Sequence, residues 1–115
     1  MATRGEDAEN LAGAFLQRAG LKLVARNYRC RFGEIDRIVR DGDTLVFVEV
    51  RMRSSDRYGG AAASVTAAKR ARLLRAARHY LAKVAHAPAC RFDVVLVNGQ
   101  DNSIEWLKNA FIGSG

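Results

Sequence analysis

The sequence predicts an α/β domain with a mixed central sheet flanked by helices, in the order α-β-β-β-α-β-β. Three observations carry this. The "RDGD" at residues 40–43 separates two apolar runs, 33–40 and 44–51, and Asp-Gly suits the primed turns that match strand twist. The stretch 65–86 divides into an apolar and a basic side at helical spacing. "RFDVVLV" at 91–97 is a near-continuous apolar run, as expected of a strand in a sheet interior.

The first helix is predicted over residues 4–19. Ala8, Leu11, Ala12, Phe15, Leu16 and Ala19 recur at helical spacing, and Gly20 follows as a stop. "LKLVARNYR" at 21–29 is short and mixed, an edge-like strand. The hairpin strands come next. "SSDRYGGAAAS" at 54–64 is small and glycine-rich, and is read as a mobile loop. In the second helix Leu73, Leu74, Ala77, Tyr80, Leu81 and Val84 gather on one side. Lys69, Arg72, Arg75, Arg78, His79 and Lys83 gather on the other, and Pro88 closes the region. "SIEWLK" at 103–108 is a last strand, joined to 91–97 through the "NGQDNS" turn. The terminal Gly-Ser-Gly is read as unstructured.

The 115 residues suggest one domain, 1–115, and 49% hydrophobic with 27% charged residues is ordinary for a globular protein. The net charge of +7 and pI of about 10.1 point to an anionic partner, nucleic acid before an anionic membrane surface. No apolar run approaches the roughly 20 residues that span a bilayer, and no signal peptide precedes Arg4, Glu6, Asp7 and Glu9. Cys30 and Cys90 are isolated, which suggests reduced thiols in a cytoplasmic protein.

Carboxylates interrupt the hairpin. With Asp41-Gly42 as a two-residue turn, residue 36 faces 47 and residue 34 faces 49. Glu34, Asp36, Phe47, Glu49 and Arg51 then share one face. A three-residue turn would separate Asp36 from Glu49. Clustered acids repel, and burial raises their pKa values. A hard divalent cation would offset that cost, since Mg²⁺ takes oxygen ligands and accepts one or two protein carboxylates. Spacing alone leaves a second reading open, a surface strand with a Glu49–Arg51 salt bridge.

"GEID", "DGDTLVFVEVRMR", the "YG" loop, "SVTAAKRARL", "RFDVV" and "NAF" together resemble the bacterial YraN-like family, along nearly the whole chain. That family is assigned to the restriction-endonuclease-like, PD-(D/E)XK nuclease superfamily, which includes archaeal Holliday junction resolvases. The resemblance implies a restriction-endonuclease-like core and Mg²⁺- or Mn²⁺-dependent hydrolysis of DNA phosphodiesters, with branched or recombining DNA as a candidate substrate. Asp36 and Glu49 match the motif acids that bind the metal. Glu6 matches a helical glutamate of resolvase-like members, and equally fits a capping box formed by Thr3-Arg4-Gly5-Glu6. Glu34 belongs to the family signature with no assigned role.

The superfamily motif ends in a lysine two residues after the second acid, where this chain has Arg51. Arginine keeps its charge and cannot act as a base, but it can clamp a phosphate and stabilise developing charge. Three outcomes stay open. Arg51 substitutes; Lys69 supplies the ammonium, against the alternative of a solvated basic face; or the domain binds nucleic acid without cutting it. The basic helix face, with Lys69 and Arg72, and the loop residues Arg53, Arg57 and Tyr58 are the candidate DNA contacts. Asp93 is read as structural, paired with Arg91 or a neighbouring strand. His79 and His86 are read as exposed helix residues, and Trp106 and Phe111 as packing residues. A homodimer is expected only by analogy with resolvases.

Overall fold

The computed structural model describes residues 5–53, 66–86 and 88–111. Along the chain lie α1 (Gly5–Arg18), β1 (Lys22–Cys30), β2 (Gly33–Asp41), β3 (Thr44–Arg53), α2 (Ala67–Leu81), β4 (Cys90–Asn98) and β5 (Ile104–Phe111). The order is the one predicted. The strands form one mixed sheet, β1-β2-β3-β4-β5, in which only β3 and β4 pair in parallel. A parallel pair requires a crossover, and α2 lies within it.

The helices cover opposite faces. Helix α1 buries Ala8, Ala12 and Leu16, four residues apart, against Val46, Val48, Val95 and Val97. Helix α2 buries Leu73, Ala76 and Ala77 against Ile38, Leu45, Phe47, Phe92, Val94 and Leu96. Alternate residues of β3 and β4 therefore enter different clusters, as the two-residue strand period demands. This is why β4 reads as one apolar run. Its acid, Asp93, is fully buried on the α1 side and satisfied there. It accepts from Arg91 Nε at 3.0 Å, Trp106 Nε1 at 2.9 Å and the Asn109 N–H at 2.9 Å. The structural reading of Asp93 holds, and through it β4 fixes β5.

Phe47 anchors the α2 side. Its ring stacks on Phe92 with centroids 5.3 Å apart and meets Tyr80 edge-on at 6.2 Å. Truncating such a residue removes its burial and leaves a cavity, so Phe47→Ala is expected to cost about 3–5 kcal/mol. Urea denaturation should show a lower midpoint at unchanged slope; a loss under about 1 kcal/mol would contradict this packing.

Several boundaries differ from expectation; β3 runs to Arg53, past 51, and β5 to Phe111, past 108. Helix α2 ends at Leu81, not near 86. Lys83 and Val84 donate to the carbonyls of Tyr80 and Leu81, so the last turn tightens to three-residue bonding. The hairpin pairs Asp41 with Thr44, which makes the loop Gly42-Asp43 in place of Asp41-Gly42. Gly42 takes the left-handed conformation there, φ 61°. The 54–64 loop, the Thr3-Arg4 half of the capping box and the terminal Gly-Ser-Gly lie outside the described residues.

Candidate functional site

The β2–β3 ladder runs from Asp41↔Thr44 to Arg37↔Val48 and stops. Asp36, next in line, engages β3 through its side chain: Oδ2 accepts the Val50 N–H at 2.8 Å. A cavity of about 320 Å³ opens at this end of the pair, and Glu9, Glu34, Asp36, Glu49, Lys69 and Arg72 line it.

One wall is acidic. Glu9, Glu34 and Asp36 each bring an oxygen within 4.8 Å of the others. Burial pushes the Asp36 carboxyl up to about 7; the nearby Glu49, then Glu9 and Glu34, add to the rise, and the Val50 N–H works against it. Asn27 ties two of these acids together. Its amide donates to Glu9 Oε1 and to Glu34 Oε1, both at 2.7 Å, from a left-handed backbone with φ 47°. Arg37, only 4% exposed, supports the wall from below. It donates to Glu9 at 3.1 Å, to Asn10 at 3.2 Å and to the Asp36 carbonyl at 2.8 Å. Gly13 of α1 packs beside this guanidinium, where a Cβ would stand 3.4 Å from Arg37 Nε.

The other wall is Glu49 with its cations. Glu49 is 4% exposed, with Lys69 Nζ at 3.1 Å and Arg51 Nη1 at 4.0 Å. The Thr66 hydroxyl accepts the Lys69 N–H at 3.2 Å, an N-cap that fixes the first turn of α2 beside β3. Arg72, one turn on, reaches the same cavity.

The donors suit a hard divalent cation such as Mg²⁺ or Mn²⁺. They are carboxylate oxygens without nitrogen or sulfur, and they crowd Asp36 enough to oppose its ionisation. The three at ligand spacing are Glu9, Glu34 and Asp36. Glu49, expected to share the metal with Asp36, belongs to no such trio among the described residues and borders the cavity from the lysine side.

Of the residues singled out in the sequence, Glu34, Asp36, Glu49, Lys69 and Arg72 come together here. Arg51 lies at the edge. Glu6 does not join them: it is exposed in the first turn of α1, and Glu9, almost one turn later, is the α1 glutamate that lines the cavity. Arg53 is directed to Glu105 on β5, at 3.0 Å. Arg57 and Tyr58 lie outside the described residues. His79 is half-buried, in contrast to the exposed position expected, and shares a hydrogen bond between Nδ1 and the Tyr28 hydroxyl. Lys69, read more readily as part of a solvated face, is instead the closest cation to Glu49 among the described residues.

Asn27 and Glu9 were not among the candidates. Asn27 carried one local signal, an amide residue that tolerates the left-handed conformation inside a strand. Glycine tolerates it too, so Asn27→Gly removes the amide and spares the backbone. We expect its affinity for Mn²⁺ to fall about 10- to 100-fold, the scale of outer-shell substitutions, with an unchanged circular dichroism spectrum. Titration calorimetry giving the parent affinity would count against the bridging role.

The molecule is a mixed α/β domain with carboxylates and a lysine gathered where a hairpin ladder ends. The chain belongs to the uncharacterised protein family UPF0102, whose profile matches residues 8–97. This shows the YraN-like resemblance at the level of the family. A UPF0102 protein of Nitrosomonas europaea is 64% identical over 94% of this chain and 92% of its own length. One from Nitrosomonas eutropha is 58% identical, also over 94% of this chain and 92% of its own length. One from Cupriavidus taiwanensis is 57% identical over 94% of this chain and 82% of its own length.

Proposed function

We propose that this domain is a Mg²⁺- or Mn²⁺-dependent endonuclease acting on DNA, with a restriction-endonuclease-like core. The observation that carries the reading is the gathering of Glu9, Glu34 and Asp36 with Glu49 and Lys69 around one cavity. Asp36, Glu34 and Glu9 would hold the cation. When bound, that ion would lower the pKa of a water and neutralise charge on the phosphate. Lys69 holds an ammonium against Glu49, ready to turn toward a phosphate oxygen and stabilise the charge that builds there. Arg72 binds the phosphate at the mouth of the cavity. Buried Glu49 orients Lys69, and Arg51, at 4.0 Å, adds positive potential. DNA is the partner in this reading, with branched or recombining DNA the favoured form and a homodimer and a cytoplasmic setting its expected context.

Arg51 in the place of the motif lysine favours a second reading, a nucleic-acid-binding module that does not cut. Lys69 answers it, because an ammonium already stands beside the second acid. Incubation of linear, flapped and four-way DNA with Mg²⁺ or Mn²⁺ separates the two. Cleavage by the parent protein and none by Glu49→Ala is expected. Binding without cleavage of any of these DNAs would support the second reading, and equal cleavage by the variant would end the first.

A further inference from the structure

At the other end of α2 lies a second, larger groove of about 600 Å³. Lys69 and Tyr80 mark the two cavities, and their separation in the helix corresponds to roughly 16 Å, so the groove is independent of the carboxylate site. Its floor is apolar: Leu23, Val24, Leu45, Tyr80 and Val84. Leu23 and Val24 are two of the exposed large apolar residues, at 50% and 40%. A register irregularity between Leu23 and Ala25 breaks the alternation of β1, which explains why two successive apolar residues stand at the surface.

The rim is basic. Lys22 and Arg40 face each other directly across β1 and β2, and like charges in that position repel. Neither makes an ion pair among the described residues. His86 lies on the same rim, and Asp43 is the acid that lines it. β1 is also an edge strand, with main-chain groups on its outer side open to an added strand.

We propose that this groove docks an acidic peptide segment of a protein partner, with an apolar side chain set into the floor and carboxylates against Lys22 and Arg40. The floor argues against nucleic acid as the occupant. It is mostly aliphatic, and its one aromatic ring, Tyr80, already packs edge-on against Tyr28 and Phe47. Nucleic acid is held by phosphate contacts and by stacking on open aromatic faces.

The test uses the full chain and a short fluorescein-labelled peptide in which consecutive aspartates precede a terminal Leu-Phe. Binding by anisotropy should weaken with salt, and amide shifts should move at Lys22, Leu23, Val24 and Arg40 but not at Asp36 or Lys69. Lys22→Glu combined with Arg40→Glu should lower the affinity about tenfold or more. Lys22→Glu alone should raise Tm, because it replaces a facing pair of like charges with opposite ones; this checks the repulsion separately from the ligand. No binding at millimolar peptide, equal binding by the double variant, or shifts confined to Lys69 and Arg72 would overturn the proposal. So would the same groove shifts with an oligonucleotide or with phosphatidylglycerol vesicles in place of the peptide.

Discussion

Lys69→Gln is expected to reduce DNA cleavage about 10²- to 10³-fold, the loss seen when one preorganised charge-stabilising donor is removed. The amide can still donate to Glu49, so the buried carboxylate keeps a partner and the fold is spared. Removing the nearer partner of a buried ion is strongly destabilising, which is why alanine is the poorer choice. Arg51→Gln should have a smaller effect, about tenfold, because its guanidinium stands at 4.0 Å where Lys69 stands at 3.1 Å. The order of the two losses decides which cation would serve the proposed reaction in place of the motif lysine. A large loss for Arg51→Gln with little for Lys69→Gln would reverse the assignment.

The second large effect is on stability. Asp36 ordinarily titrates near 3.8 and is raised to about 7 in the fold. Between those values the native state holds the proton more tightly than the unfolded chain, so stability falls as pH rises through this window. Above about pH 7 the whole cost is present. At 1.36 kcal/mol per tenfold change in proton affinity it amounts to roughly 4 kcal/mol as an upper limit. Asp36→Asn can still accept the Val50 N–H and carries no charge. It should therefore be more stable than the parent at pH 8 without metal, with the difference gone below about pH 4. Mn²⁺ should raise Tm of the parent at pH 8 and leave the variant unmoved, since a ligand stabilises the state that binds it. Denaturant curves at the two pH values check the sign. A less stable variant at pH 8 would mean that Asp36 is held by its surroundings and not strained by them.

Much of the fold was legible because it rests on periodicity. The four-residue spacing of Ala8, Ala12 and Leu16 and the apolar run of β4 each had one geometric solution. The hairpin was legible to within its turn. "RDGD" contains both Asp-Gly and Gly-Asp, and either makes a two-residue loop. The choice of Gly42-Asp43 slides the partner of residue 36 from 47 toward 49 while keeping the same parity, so the acids still converge.

The site was legible in part. Local pattern placed Glu34, Asp36 and Glu49 together but could not say where their ladder ends. That end is set by Asp36 taking the Val50 N–H with its side chain. The choice of Glu9 over Glu6 depends on the rotation of α1 about its axis, which the packing of Ala8 and Ala12 decides. Lys69 belonged to a uniformly basic face, and only the docking of α2 distinguishes it from Arg75 or Arg78. Asn27 and Arg37 act across elements distant in sequence, the kind of contact that periodicity does not encode.

The most direct measurement is a Mn²⁺ soak of crystals, read by anomalous scattering. A peak is expected in the cavity, bonded to the Asp36 carboxylate, shared with Glu34 or Glu9, and lost in Asp36→Asn. Saturating Mn²⁺ with no peak there, or with an ion bound away from Asp36, would contradict it.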